Sequence, residues 1–100
     1  MDEPETFRSS VVIAASHPAL DGHFPGNPIV PGVLLLEAVA DALREWRGIA
    51  ASGFPNVKFI SPLRPGERME IIFSGGDGAA PLRFRCECAG RLLAQGSIAT

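Results

Sequence analysis

A chain of 100 residues, 46% of them hydrophobic and nine of them proline, reads as globular, with one modest core and no room for a separate cofactor domain. The net charge of −2 argues against a nucleic-acid binder, which needs clustered Lys and Arg in excess to neutralise phosphates. No apolar run approaches the ~18 residues of a membrane span, and the acidic opening MDEPETF lacks the basic-then-apolar order of a signal peptide, so one domain over residues 1–100 in the cytoplasm is expected.

Residues 6–15 alternate Phe7, Ser9, Val11 and Ile13 with Arg8 and Ser10 and then turn β-branched, which predicts a strand. His17-Pro18 ends it. From residue 16 to residue 30 the prolines and glycines forbid long regular structure, and Pro25, Pro28 and Pro31 fix φ at three points while biasing the residues before them toward extended geometry. Such a loop is stiff, as a loop that carries a reactive group should be. Pro31 suits the start of a helix, where its missing N–H would have no partner anyway. The helix is expected to run to Arg47 and stop at Gly48. Because Val33, Leu34, Leu35, Leu36, Ala38, Val39, Ala40, Ala42 and Leu43 are apolar all round, it is expected to be buried except at its last turn.

Four strands are predicted after the helix, over residues 56–60, 67–74, 82–88 and 91–99, the second alternating Met69, Ile71 and Phe73 with Arg68 and Glu70. Residues 62–66 form a turn. The cluster Gly75-Gly76-Asp77-Gly78 reads as a hairpin turn and not a phosphate loop, because no helix and no Lys-Ser/Thr follows it. Cys86 and Cys88 point to one face of a strand, are too close along the chain for an ordinary disulfide, and have no second pair to complete a zinc site. They are expected to be buried, reduced core thiols. The fold class is α+β: an antiparallel sheet with one central helix.

Chemistry concentrates between His23 and Glu37, in the stretch HFPGNPIVPGVLLLE. A carboxylate midway along an apolar helix is costly unless it is paired, solvated or protonated, and burial favours its neutral, proton-donating form. Glu37 is thus a candidate acid, or else the partner of an arginine at a surface or subunit contact. His23, in a loop of little freedom, is a candidate base near neutral pH, whereas His17 reads as an ordinary polar residue. The free N–H of Gly32 at the helix start, with the helix dipole behind it, can polarise a carbonyl oxygen. Base, acid and oxyanion donor together suggest proton abstraction beside a carbonyl.

The pattern HFPG-x-P-I-V-PG-V-L-x-x-E-A resembles the signature of the hot-dog-fold 3-hydroxyacyl-(acyl carrier protein) dehydratases, and KFISPLRPGE, from Lys58 to Glu67, is similar to the strand and turn that follow the helix in that family. The compact length and the HPALDGHFPG opening also resemble the short dehydratase-like proteins of aryl polyene gene clusters. The resemblance implies an antiparallel sheet wrapped around one long helix and a syn-type elimination of water. In it His23 removes the C2 proton, Gly32 N–H steadies the enolate-like oxygen, and Glu37 protonates the departing hydroxyl. Phe24, Pro31 and Val33 are implied to bind substrate beside Gly32. It also implies a carrier-protein-bound substrate and a homodimer, or a higher oligomer built from it, whose sites take histidine from one protomer and acid from the other. No metal or organic cofactor is implied.

Three departures stand out. The chain has no tyrosine to gate an acyl tunnel, it is shorter than the housekeeping fatty-acid enzymes, and Asp41 stands where many relatives carry glutamine. Arg44, Arg47, Arg64, Arg68 and Lys58 are candidates to face an acidic carrier protein. Two other readings compete. In a thioesterase on the same fold, Glu37 would activate water; in a non-catalytic acyl-carrier-binding subunit, neither His23 nor Glu37 would be needed.

Overall fold

Side chains that alternate across five strands give the sheet one apolar face, and the single helix lies on it. The computed structural model describes residues 6–14, 29–76 and 81–100. Its elements are β1 (Thr6–Val12), α1 (Gly32–Arg47), β2 (Gly53–Phe59), β3 (Arg68–Ser74), β4 (Arg83–Cys88) and β5 (Arg91–Ala99). The sheet runs β1-β3-β4-β5-β2 with every neighbouring pair antiparallel.

The register separates the two faces cleanly. One in-register row, Phe7, Phe73, Phe84, Gly96 and Val57, crosses all five strands on the helix side. The next, Arg8, Ile72, Arg85, Gln95 and Lys58, crosses them on the outer side. The core lies between sheet and helix, where Val39, Leu43, Met69, Phe73, Phe84, Cys86 and Leu93 are fully buried. At the far end of the helix Trp46 stacks on Phe7 and Phe73, fastening its last turn to β1 and β3. Gly48 then takes φ 67°, and its N–H bonds the Arg44 carbonyl at 2.8 Å, which ends the helix where expected.

Several boundaries differ from the sequence-based expectation, each for a local reason. β1 stops at Val12 because the Ile13 carbonyl accepts the Gly66 N–H at 2.8 Å. β2 begins at Gly53, ahead of the expected Asn56, with a register shift between the two that places Pro55 on an edge strand, where proline is tolerated. It ends at Phe59 because the N–H groups of Ile60 and Ser61 both turn to the Leu93 carbonyl, at 2.8 and 3.2 Å. Glu67 is left out of β3, its carboxylate accepting the Arg64 N–H at 2.9 Å to close the 62–66 turn. β3 and β4 form the expected hairpin pair; the Asp77-Gly78 tip, His17-Pro18 and the loop through residue 28 lie outside the described residues. Cys86 and Cys88 are buried and unbridged, as expected.

The helix is the main correction. It is not buried on all sides: Leu34, Leu35, Val39, Ala42 and Leu43 face the sheet, while Val33, Glu37, Asp41, Arg44 and Glu45 are exposed. A single sheet covers one side of a helix only, and the alanines that make the other side read as apolar present little surface to cover.

Candidate active site

Two grooves flank the helix, and each carries part of the chemistry. The first forms where chain enters helix. Pro31, at φ −59° and ψ 144°, is still extended, so Gly32 is the first helical residue. Among the described residues no side chain caps this end and no acid sits in its first turn, so the backbone donors there keep their partial positive charge. A 2.8 Å bond from the Val30 N–H to the Leu63 carbonyl ties the incoming chain to the turn after β2. The resulting groove, about 360 Å³, is lined by Ile29, Val30, Gly32, Leu35, Phe59 and the 60–63 segment.

The second groove, about 520 Å³, lies between α1 and the edge strand β1. Glu37, Asp41 and Glu45 line it one helical turn apart, above Leu34, Ala38 and Ala42, with residues 9–14 as the opposite wall. The spacing follows from the helix repeat: side chains four residues apart stack on one face. Asp41 is engaged by Arg44 at 3.4 Å, an exposed pair. Glu37 is exposed and enters no ion pair among the described residues, so the burial expected from its apolar neighbours is absent in the single chain.

Of the candidate site residues, Gly32 lines the first groove, Pro31 is the helix N-cap and does not line it, Val33 projects into solvent at 62% exposure, and Glu37 lines the second groove. His23 and Phe24 lie outside the described residues. The two grooves share no residue. Gly32 and Glu37, five residues apart, are turned roughly 140° from each other about the helix axis. One chain therefore does not bring donor and acid to a common hollow.

Sequence reasoning missed Phe59, whose ring lies over Gly32. A phenylalanine at an inward position of a strand looks like ordinary core; the one available signal was its placement at the end of β2, just before KFISPLRPGE turns. The cationic residues are dispersed. Arg44 and Arg47 sit at the helix end, Arg47 over the Trp46 ring at 4.1 Å; Arg68 bonds Ser10 at 3.3 Å, and Lys58 stands in the outer row of β2. They do not form one patch. Burial pushes the Cys86 thiol up to about 12, which removes it as a nucleophile at neutral pH.

A family model described as ApeI dehydratase matches residues 1–97. The 3-hydroxyacyl-[acyl-carrier-protein] dehydratase FabZ of Haemophilus influenzae is 37% identical over 79 residues, covering 69% of this chain and 53% of that protein. The FabZ dehydratase of Roseiflexus castenholzii is 34% identical over 100 residues, covering 82% of this chain and 70% of that one. The chain spans about half the length of the first of these relatives. Among solved structures, the dehydratase heterocomplex ApeI:P from Xenorhabdus doucetiae superposes with a TM-score of 0.75 at 24% identity over 98% of this chain and 97% of that chain. A likeness at that identity carries the fold, and the fold is the hot-dog fold.

Proposed function

The chain belongs to the ApeI-like dehydratase family, and from that membership we propose that it eliminates water from a (3R)-3-hydroxyacyl thioester to give the trans-2-enoyl thioester. The observation that carries the reading is Glu37: an exposed carboxylate midway along the helix, in no ion pair among the described residues, lining a groove of about 520 Å³. A carboxylate there serves no packing purpose.

In this reading His23 takes the C2 proton, and the negative charge that develops on the thioester oxygen is met by the Gly32 N–H at the helix start. Glu37 acts as the acid, giving a proton to the C3 hydroxyl, which leaves as water. The electron pair of the broken C–H bond becomes the new double bond. The enzyme ends with imidazolium and carboxylate, and one proton transfer between them restores it. Because donor and acid lie on different sides of one helix, the working site is built across a two-fold homodimer, with His23 of one protomer opposite Glu37 of the other. The substrate rides on an acyl carrier protein, as the names of the FabZ relatives suggest, and the reaction takes place in the cytoplasm. Residues 1–100 act as one domain.

The test is to incubate the purified protein with a (3R)-3-hydroxyacyl thioester on its carrier protein and follow loss of water by mass, beside His23→Ala and Glu37→Gln. Dehydration abolished by both substitutions, with assembly unchanged, is the expected result. Free thiol without enoyl product would make the protein a thioesterase, and binding without turnover a carrier-binding subunit.

A further inference from the structure

The groove at the start of α1 has a wall that the elimination chemistry does not use. Phe59, the last residue of β2, is 54% exposed although its strand position faces the helix, and the adjoining Ile60 is 47% exposed. The Phe59 ring leans on Gly32. A Cβ built on Gly32 would stand 2.7, 2.8 and 3.3 Å from three carbons at the ring's outer edge. The backbone that carries the ring is fixed, since the next two N–H groups both bond the Leu93 carbonyl. Only rotation about the side-chain bonds can move it.

We propose that Phe59 is a specificity-determining residue that closes one side of the thioester position at the Gly32 N–H and excludes acyl chains bearing a substituent on C2. The inference rests on the dehydratase reading above. A carbonyl oxygen accepting from the Gly32 N–H lies ~3 Å from that nitrogen, and the glycine Cα is ~1.5 Å from the same nitrogen. A ring in contact with the space beside that Cα is therefore beside the thioester as well. C2 is the atom next to the carbonyl and carries the proton to be removed. On the ring side an unbranched chain presents only hydrogen there; a 2-methyl chain presents a methyl group.

The surroundings suit an alkyl thioester. Besides Phe59, Ile60 and Gly32, the groove is lined by Val30, Leu35 and Leu63, and Ser61 is the one polar side chain lining it among the described residues. Apolar walls with few polar groups are the usual make-up of a small-molecule site. An aromatic ring half-exposed in the single chain gains burial when an acyl group packs against it.

The experiment compares wild type, Phe59→Leu and Phe59→Ala as purified full chains on two carrier-bound substrates, a 3-hydroxyacyl thioester and its 2-methyl analogue. The readout is the ratio of kcat/KM values, with thermal melting to verify folding. Wild type is expected to disfavour the branched substrate by about tenfold to a hundredfold, the range one methyl group commands in a fitted pocket. Both variants should reduce that preference about tenfold, mainly through KM of the branched substrate. A wild type indifferent to the methyl group, or a folded variant with an unchanged ratio, overturns the inference and leaves the dehydratase reading intact. A wild type that converts neither substrate overturns that reading and this inference with it. Should Phe59→Ala fail to fold, Phe59→Leu decides by the same criteria.

Discussion

Phe7 on the edge strand and Trp46 in the last turn of the helix stack with centroids 4.9 Å apart and ring planes 7° from parallel. Phe73 joins them, 5.4 Å from Trp46 and 6.3 Å from Phe7. The contact counts because it is one of the few that hold β1 to the helix at this end, and the Glu37 groove lies between those two elements. Trp46→Ala should cost about 2–3 kcal/mol, less than the loss for a fully buried aromatic because both rings are partly exposed. Trp46→Phe should restore about half. Urea denaturation followed by circular dichroism measures both; a loss below about 0.5 kcal/mol would mean the stack contributes little.

Gly96 permits the pairing of β5 with β2. A Cβ at this position would run into the Asn56 carbonyl across the strand boundary and stand 3.1 Å from the Phe84 ring. Neither backbone nor packed ring can yield cheaply. Gly96→Ala should therefore destabilise by about 3 kcal/mol, the upper part of the range for overpacking, and free β2 from the sheet. Hydrogen exchange should locate the damage in residues 53–59.

Glu67 gives the fold an acid-sensitive turn. The Arg64 N–H holds its carboxyl below the ordinary value of 4.5, with help from Arg91 at 3.4 Å and from the Cys88 thiol. A lowered folded-state value means that the ionised carboxylate adds stability above about pH 4.5 and that this addition disappears as pH falls through the lowered value. Glu67→Gln should melt below wild type at neutral pH, and the two should converge at low pH. Parallel melting curves across the whole pH range would contradict the assignment.

Cys86 is fully buried, and its thiol is pushed up to about 12 by desolvation alone. It should resist a thiol-specific reagent at pH 8 in the native protein and react fully in denaturant. Peptide mapping of the modified residue distinguishes it from Cys88.

Much of this architecture is legible in the sequence because its signals are local. Met69, Ile71 and Phe73 alternate as a strand must, and Pro31 and Gly48 bracket the helix through fixed φ and a left-handed cap. The strand order is not legible, since a period of two says nothing about which strand lies beside which. β2 starts at Gly53, ahead of Asn56, because an edge strand tolerates Pro55, and only the sheet order reveals an edge. Apolar residues surround the helix axis, but one sheet covers only one side of it, and no local pattern in the sequence records that. At the site, the motif singled out Gly32 and Glu37, but their separation onto two grooves depends on where β1 and β2 flank the helix, and Phe59 looked like any core aromatic.

In the proposed reaction the site is shared between two protomers, with Glu37 of one working opposite His23 of the other. Co-expressing His23→Ala and Glu37→Gln chains tests it most directly. Each variant alone should be inactive, but half of the dimers in a random equal mixture are mixed, and each of these has one site with both native groups. About a quarter of wild-type dehydration should return. Mixed dimers that form, by differential tagging, and yet restore no activity would place both groups in one chain and contradict the shared site.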